Sequence, residues 1–203
     1  MARISLPPKT KTVTIQMGKR NLSKLILRPA IFFDRDGVLT VPQVLDGKGF
    51  APRSLQNFQF YDDAKESLLR TRSAGFINVV VSNQPDLATG LLLESTLEEM
   101  NSRMIEALAV DEVYICPHLS KDNCRCRKPR PGMIESAARE LSIDLSSSWM
   151  IGDRDSDIEA GSRAGLKTVF IDRNWLNEFG GESNFQSTSL KGAVDIVLLQ
   201  GQH

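Results

Sequence analysis

Residues 31–39 read IFFDRDGVL: three apolar side chains run into Asp34, Asp36 follows two positions later, and Gly37 lets the chain turn sharply away. An apolar strand that ends on a pair of carboxylates suggests an open α/β sheet, in which ligands gather at the C-terminal ends of the strands. Working outward, the same grammar recurs. Residues 62–74 have helical spacing with Gly75 past the end, and residues 76–81 form a second strand, apolar except for Asn78. Ser95, with Glu98 three positions on, reads as a capping box that opens a helix reaching about Ala109. Residues 113–115 read as a third strand, Pro131 stands at a helix start, and residues 133–141 continue that helix. Residues 149–151 make a fourth strand, residues 155–164 a helix closed by Gly165, and residues 168–171 a fifth strand. Alternation of this kind predicts an α/β domain with a Rossmann-like, mostly parallel sheet and helices on both faces. The last apolar run, residues 193–199, follows a polar Gly-Gly loop and is expected to pack peripherally.

The chain has 203 residues, 41% apolar and 25% charged, enough to bury the core of one globular domain and unlike fibrous or disordered classes. No eighteen apolar residues run together, so a membrane-spanning helix is not expected, and the first residues lack the apolar core of a signal peptide. The formal net charge is zero, yet residues 1–33 hold seven Lys/Arg and no acid, which leaves the remainder with 18 basic against 25 acidic residues. An acidic body disfavours nucleic acid as partner. Residues 1–29 therefore stand apart as a basic arm, with residues 12–15 a possible strand, and residues 30–203 as the domain. The arm reads first as a solvated tail or a stretch upstream of a start at Met17, with a segment for an anionic partner and then a transit peptide as the alternatives. Three cysteines within eleven positions point to a reducing compartment, with the cytoplasm as the default, and a monomer is expected.

Four segments bring chemistry to the same edge of that sheet: Asp34 and Asp36, Ser82 and Asn83, Arg127 and Lys128, Asp153 and Asp157. Each alone is weak, since a DxDG is more often a turn and a lone lysine a solvated one. Together, clustered carboxylates call for a hard cation, and Mg²⁺ held by one or two carboxylates plus a substrate phosphate fits best. A lysine and neutral donors beside them suit phosphoryl transfer through an aspartyl-phosphate.

FFDRDGVL, VVVSNQ, CRKPRPGM and MIGDRDSD resemble, in order, the four signature motifs of the haloacid dehalogenase-like (HAD) hydrolases. The resemblance covers about 140 residues from Ile31 and implies Asp34 as nucleophile, Asp36 as acid/base, Ser82 as phosphate-binding hydroxyl and Lys128 as stabilising lysine. It further implies Mg²⁺ on Asp34, the Asp36 backbone carbonyl and Asp153, with Asp157 in support.

Cys116, His118, Cys124 and Cys126 form two close donor pairs around a short loop, the spacing of a closed, structural Zn²⁺ site; a chance cluster of thiols is the alternative. A zinc loop beside CRKPRPGM is similar to capless members of that superfamily, the heptose 1,7-bisphosphate and histidinol-phosphate phosphatases, which lack a separate cap domain. This implies a small phosphorylated substrate, probed by Ser82, Asn83 and Arg127. Departures from that pattern are Ser82 for a usual threonine, Thr40 for asparagine, Arg154 for lysine, and residues 85–90, where Asp86 adds a negative charge and Thr89 stands for an arginine. Heptose 1,7-bisphosphate is the leading expectation. A histidinol-phosphate or other small-molecule phosphatase, a polynucleotide 3′-phosphatase, and a zinc-stapled binding module are the alternatives.

Overall fold

The computed structural model describes residues 2–4, 27–174 and 181–201. The expected strand at residues 12–15 and most of the basic arm lie outside them. A seven-stranded sheet runs through the molecule. Its strands are β1 (Ala2–Ile4), β2 (Ala30–Phe33), β5 (Ile77–Asn83), β6 (Glu112–Cys116), β7 (Trp149–Gly152), β8 (Lys167–Ile171) and β9 (Phe185–Ser187), and β3 (Gln43–Leu45) and β4 (Lys48–Phe50) make a separate hairpin. Across the sheet the order is β1-β6-β5-β2-β7-β8-β9, with β1 antiparallel on β6 and every other pairing parallel. Parallel neighbours need crossovers, which the helices α1 (Ala64–Ser73), α2 (Glu94–Ala107), α3 (Gly132–Leu141), α4 (Asp155–Arg163) and α5 (Leu190–Gln200) supply or flank. The six parallel strands have the doubly wound order, and the chain reverses direction across the sheet between β2 and β7, where such folds open a crevice.

Side chains alternate across the sheet, so Ile31 and Phe33 enter one core while Ala30 and Phe32 enter the other. The first core takes Leu68 of α1, Met100 and Met104 of α2, and Leu190, Ala193, Val194 and Val197 of α5. The second takes Met133, Ile134 and Ala137 of α3 and Ala160 of α4. Asn78, the polar exception in β5, is fully buried and satisfied: its amide donates to the carbonyls of Leu68 and Ala109, and its oxygen accepts from Thr71 Oγ1 at 2.7 Å.

Two sequence expectations are corrected. Residues 193–199 are not peripheral: with Leu190 they form α5, capped by Ser189 and inserted in the main core, because residues 190, 193, 194 and 197 share one helical stripe. Ser95 does not cap α2; buried Leu92 anchors the chain, Leu93 is the N-cap, and the Leu93 carbonyl receives the first amides. Asp63 does begin α1, but its carboxylate accepts from the Lys191 N–H at 2.9 Å and so ties the starts of α1 and α5 together. The β3–β4 hairpin was not foreseen, although Asp46-Gly47 carries its signal: both residues take positive φ, 49° and 72°, as a tight primed turn demands.

Candidate active site

At the C-terminal end of β2, Asp34 meets the chain 94 residues later: Lys128 Nζ lies 2.6 Å from Asp34 Oδ1, 2.7 Å from Asp157 Oδ1 and 2.6 Å from the Val81 carbonyl. An ammonium has three protons, and three acceptors take them. Burial works against the Lys128 charge, but Asp157 and Asp34 outweigh it and raise its pKa to about 12. Burial likewise pushes the Asp34 carboxyl up to about 6; Lys128 opposes the shift, and Asp157 and Asp36 reinforce it.

Carboxylate oxygens of Asp34, Asp153 and Asp157 lie within 4.8 Å of one another, all three residues buried. A hard, oxygen-only donor set of this charge, with one lysine beside it, fits Mg²⁺. Two glycines make the approach possible. At Gly37, φ +103°, a Cβ would stand 2.0 Å from Asp153 Oδ2, and at Gly152 a Cβ would stand 2.2 Å from the Asp157 Cβ.

Asp36 belongs to a different web. Arg35 Nε sits 3.1 Å from each of its oxygens, Thr40 Oγ1 donates to it at 2.8 Å and Gln84 Nε2 at 2.7 Å. Arg35 is wholly buried, and Nη1 reaches Asn101 of α2. Gln84 also donates to Ser82 Oγ at 2.8 Å, which links the acid/base candidate to the phosphate-binding candidate through one amide. Asn83 faces the cavity with its amide already committed: it accepts from the Lys128 N–H and donates to the Lys128 carbonyl, both at 3.1 Å. Arg127 is braced on the His118 carbonyl at 3.0 Å and on Ser120 Oγ at 3.3 Å.

All of these segments line a cavity of about 710 Å³, a size suited to a small metabolite. Its mouth is formed by residues that the sequence left without a role: Lys48, Gly49 and Phe50 of the hairpin, Arg53 beyond it, Asp86, and Arg154, whose guanidinium donates to the Gly49 carbonyl at 2.6 Å. Arg35, Thr40, Gln84 and Asn101 were also unassigned. Their signal is conditional, because a polar residue beside a motif becomes informative only once its burial is known.

Behind the cavity, Cys116 at the end of β6 meets His118, Cys124 and Cys126. Five of the six edges of this tetrahedron measure 3.2 to 3.6 Å, near the separations that metal bonds of about 2.0 to 2.3 Å impose. The three cysteines are free thiols, and burial pushes the Cys116 thiol up. The cluster can hold a metal, and Cys126 leads directly into Arg127 and Lys128.

Residues 125–175 match the HAD-hydrolase-like family model. A D-glycero-β-D-manno-heptose-1,7-bisphosphate 7-phosphatase of Photorhabdus laumondii is 35% identical over 157 residues, 71% of this chain and 80% of the relative. The enzyme of that name from Haemophilus influenzae is 35% identical over 181 residues, 84% of this chain and 95% of the relative. Among solved structures, a D,D-heptose 1,7-bisphosphate phosphatase of B. bronchiseptica, complexed with magnesium and phosphate, superposes with TM-score 0.74 at 30% identity, covering 85% of this chain and 99% of that one. A HAD-like phosphatase from Mesorhizobium loti superposes at 0.69 with 26% identity, covering 92% of each chain. Four signature segments converge on one crevice, and the likeness extends over most of the relatives' length: the chain belongs to the HAD-like hydrolase family in which these heptose-bisphosphate phosphatases stand.

Proposed function

We propose that this protein is a Mg²⁺-dependent phosphatase that removes the 7-phosphate of D-glycero-D-manno-heptose 1,7-bisphosphate through an aspartyl-phosphate on Asp34. One observation carries the reading: the buried group of Asp34, Lys128, Asp153 and Asp157 is complete in a chain that spans 95% of a relative bearing that activity in its name.

Mg²⁺, held by Asp34, Asp153 and the Asp36 backbone carbonyl with Asp157 in support, supplies charge neutralisation for a transferring phosphoryl group. Ser82 binds and orients that group's oxygens, and Lys128, held on Asp34 and Asp157, offsets its charge. Asp34 attacks phosphorus as the bond to the leaving alkoxide breaks, and Asp36 gives the alkoxide a proton. In the second half, Asp36 takes a proton from water, the water oxygen bonds to phosphorus, and the bond to Asp34 breaks, releasing inorganic phosphate. Thr40 can follow both states of Asp36, since its hydroxyl also lies 3.1 Å from the Arg35 carbonyl and can donate there while accepting from a protonated Asp36. Asn83 acts by fixing the backbone of Lys128. The four-donor cluster takes Zn²⁺ and clamps the strand of chain that presents Arg127 and Lys128.

The test is phosphate release with Mg²⁺ from both anomers of heptose 1,7-bisphosphate, fructose 1,6-bisphosphate, histidinol phosphate and a 3′-phosphorylated oligonucleotide. A preference in kcat/KM of about a hundredfold for a heptose bisphosphate, roughly 2.7 kcal/mol in the transition state, establishes the substrate. A preference for any other member replaces it.

A further inference from the structure

Across the cavity mouth, Arg53 Nε lies 2.6 Å from Asp86 Oδ2, joining the segment after the hairpin to the loop after β5. The pair is open, with side-chain exposures of 41% and 19%, and an ion pair this wet adds little to stability. Its position is more informative. The cavity floor is carboxylate-rich and has Lys128 at its centre, whereas the rim carries Lys48, Arg53, Arg127 and Arg154 from three separate segments. A substrate whose single phosphate sits on the floor has no use for cations at the rim. Residues 85–90, Pro-Asp-Leu-Ala-Thr-Gly, offer no cation of their own and face Arg53 with an acid.

We propose that Arg53 is a specificity-determining residue that binds the non-reacting phosphate of a bisphosphorylated substrate, and that Asp86 is its placeholder, exchanged for that phosphate on binding. The assignment rests on the bisphosphate reading above. A guanidinium binds phosphate bidentately and more strongly than it binds one carboxylate oxygen, so the exchange favours a doubly anionic end. A neutral hydroxyl cannot displace Asp86, and substrates ending in one leave the pair closed. Holding the long Arg53 side chain in place also removes part of the ordering cost of binding. The backbone of the Asp86 loop does not depend on the pair: the Asp86 carbonyl accepts from the Leu92 N–H at 3.1 Å, and Ala88 N donates to the Pro85 carbonyl at 3.0 Å.

The experiment compares kcat/KM for a heptose 1,7-bisphosphate and the corresponding 7-monophosphate in the full-length wild type, Arg53→Ala, Arg53→Lys and Asp86→Asn, all with Mg²⁺. In wild type the bisphosphate is preferred. Arg53→Ala lowers the bisphosphate-to-monophosphate ratio by about tenfold, through KM rather than kcat, and Arg53→Lys restores part of it. Asp86→Asn removes the competing carboxylate and lowers the bisphosphate KM several-fold. A wild type that releases phosphate from neither compound overturns the proposed function and with it this assignment, and one that hydrolyses both without preference overturns the assignment alone. A wild type that keeps the preference beside an Arg53→Ala variant with an unchanged ratio overturns the assignment alone, and so does an Asp86→Asn variant whose bisphosphate KM rises.

Discussion

Asn83 holds Lys128 by its backbone, accepting from its N–H and donating to its carbonyl at 3.1 Å each. A side chain on the last residue of β5 thereby fixes the position of an ammonium that comes from another loop. Asn83→Ala should lower kcat by about tenfold with KM changed far less, because what is lost is the alignment of a group that acts in the transition state. A rise in KM with kcat unchanged would mean that the amide binds substrate instead.

Replacement of Asp34 by Asn preserves shape and removes the proposed nucleophile. Turnover should vanish while the melting transition remains cooperative, and no phosphoenzyme should be trapped on brief exposure to substrate. Mg²⁺-dependent hydrolysis surviving in that variant would exclude the covalent route.

The raised pKa of Asp34 has a worked sign. Its folded value is about 6 against 3.8 for the free carboxyl, so in the metal-free protein its contribution to stability is present below about pH 4 and lost as pH rises through about 6. Mg²⁺ favours the carboxylate and must displace that proton. The thermal stabilisation given by a fixed Mg²⁺ concentration should therefore grow from about pH 5 to pH 7 and level off above. A stabilisation constant over that window counts against the shift.

One zinc per chain is expected in protein purified under reducing conditions without chelators. Cys124→Ser combined with Cys126→Ser should lose it, together with most of the activity, since the loop that carries Arg127 and Lys128 is then unpinned. Metal analysis that finds no zinc in the wild type would leave the cluster as thiols alone.

Leu190 is fully buried where α5 meets the core. Leu190→Ala should cost about 2 to 4 kcal/mol in denaturant unfolding, the usual penalty of a core cavity. A loss below about 0.5 kcal/mol, typical of surface positions, would return the helix to the periphery.

The strands and the site were legible where local chemistry and position coincide. Residues 31–33 read as a buried strand and are one, and Asp34, Ser82 and Asp153 stood out as candidates by falling at strand ends, with Lys128 beyond the loop that follows the third strand. Arg35 illustrates the opposite case. In the sequence it is one more charge between two aspartates; only burial reveals that it neutralises Asp36 and anchors it to Asn101. Gln84 was invisible for the same reason, and Ser95 misled because a capping motif specifies a helix start only when no buried neighbour, here Leu92, already fixes the chain. The hairpin's signal, Asp46-Gly47, is weak in the sequence because its flanks are short and mostly exposed.

Every residue assigned to chemistry precedes residue 158, whereas the helix that seals the sheet, α5, begins at Leu190. During synthesis the polypeptide thus has a full catalytic outfit roughly thirty residues before it has a closed interior. A nascent or truncated chain lacking that helix presents Leu68 and the inner face of β8 to water, the kind of surface that chaperones and proteases read. Among the described residues, α5 thus governs how much of the apolar interior beside the active centre stays covered.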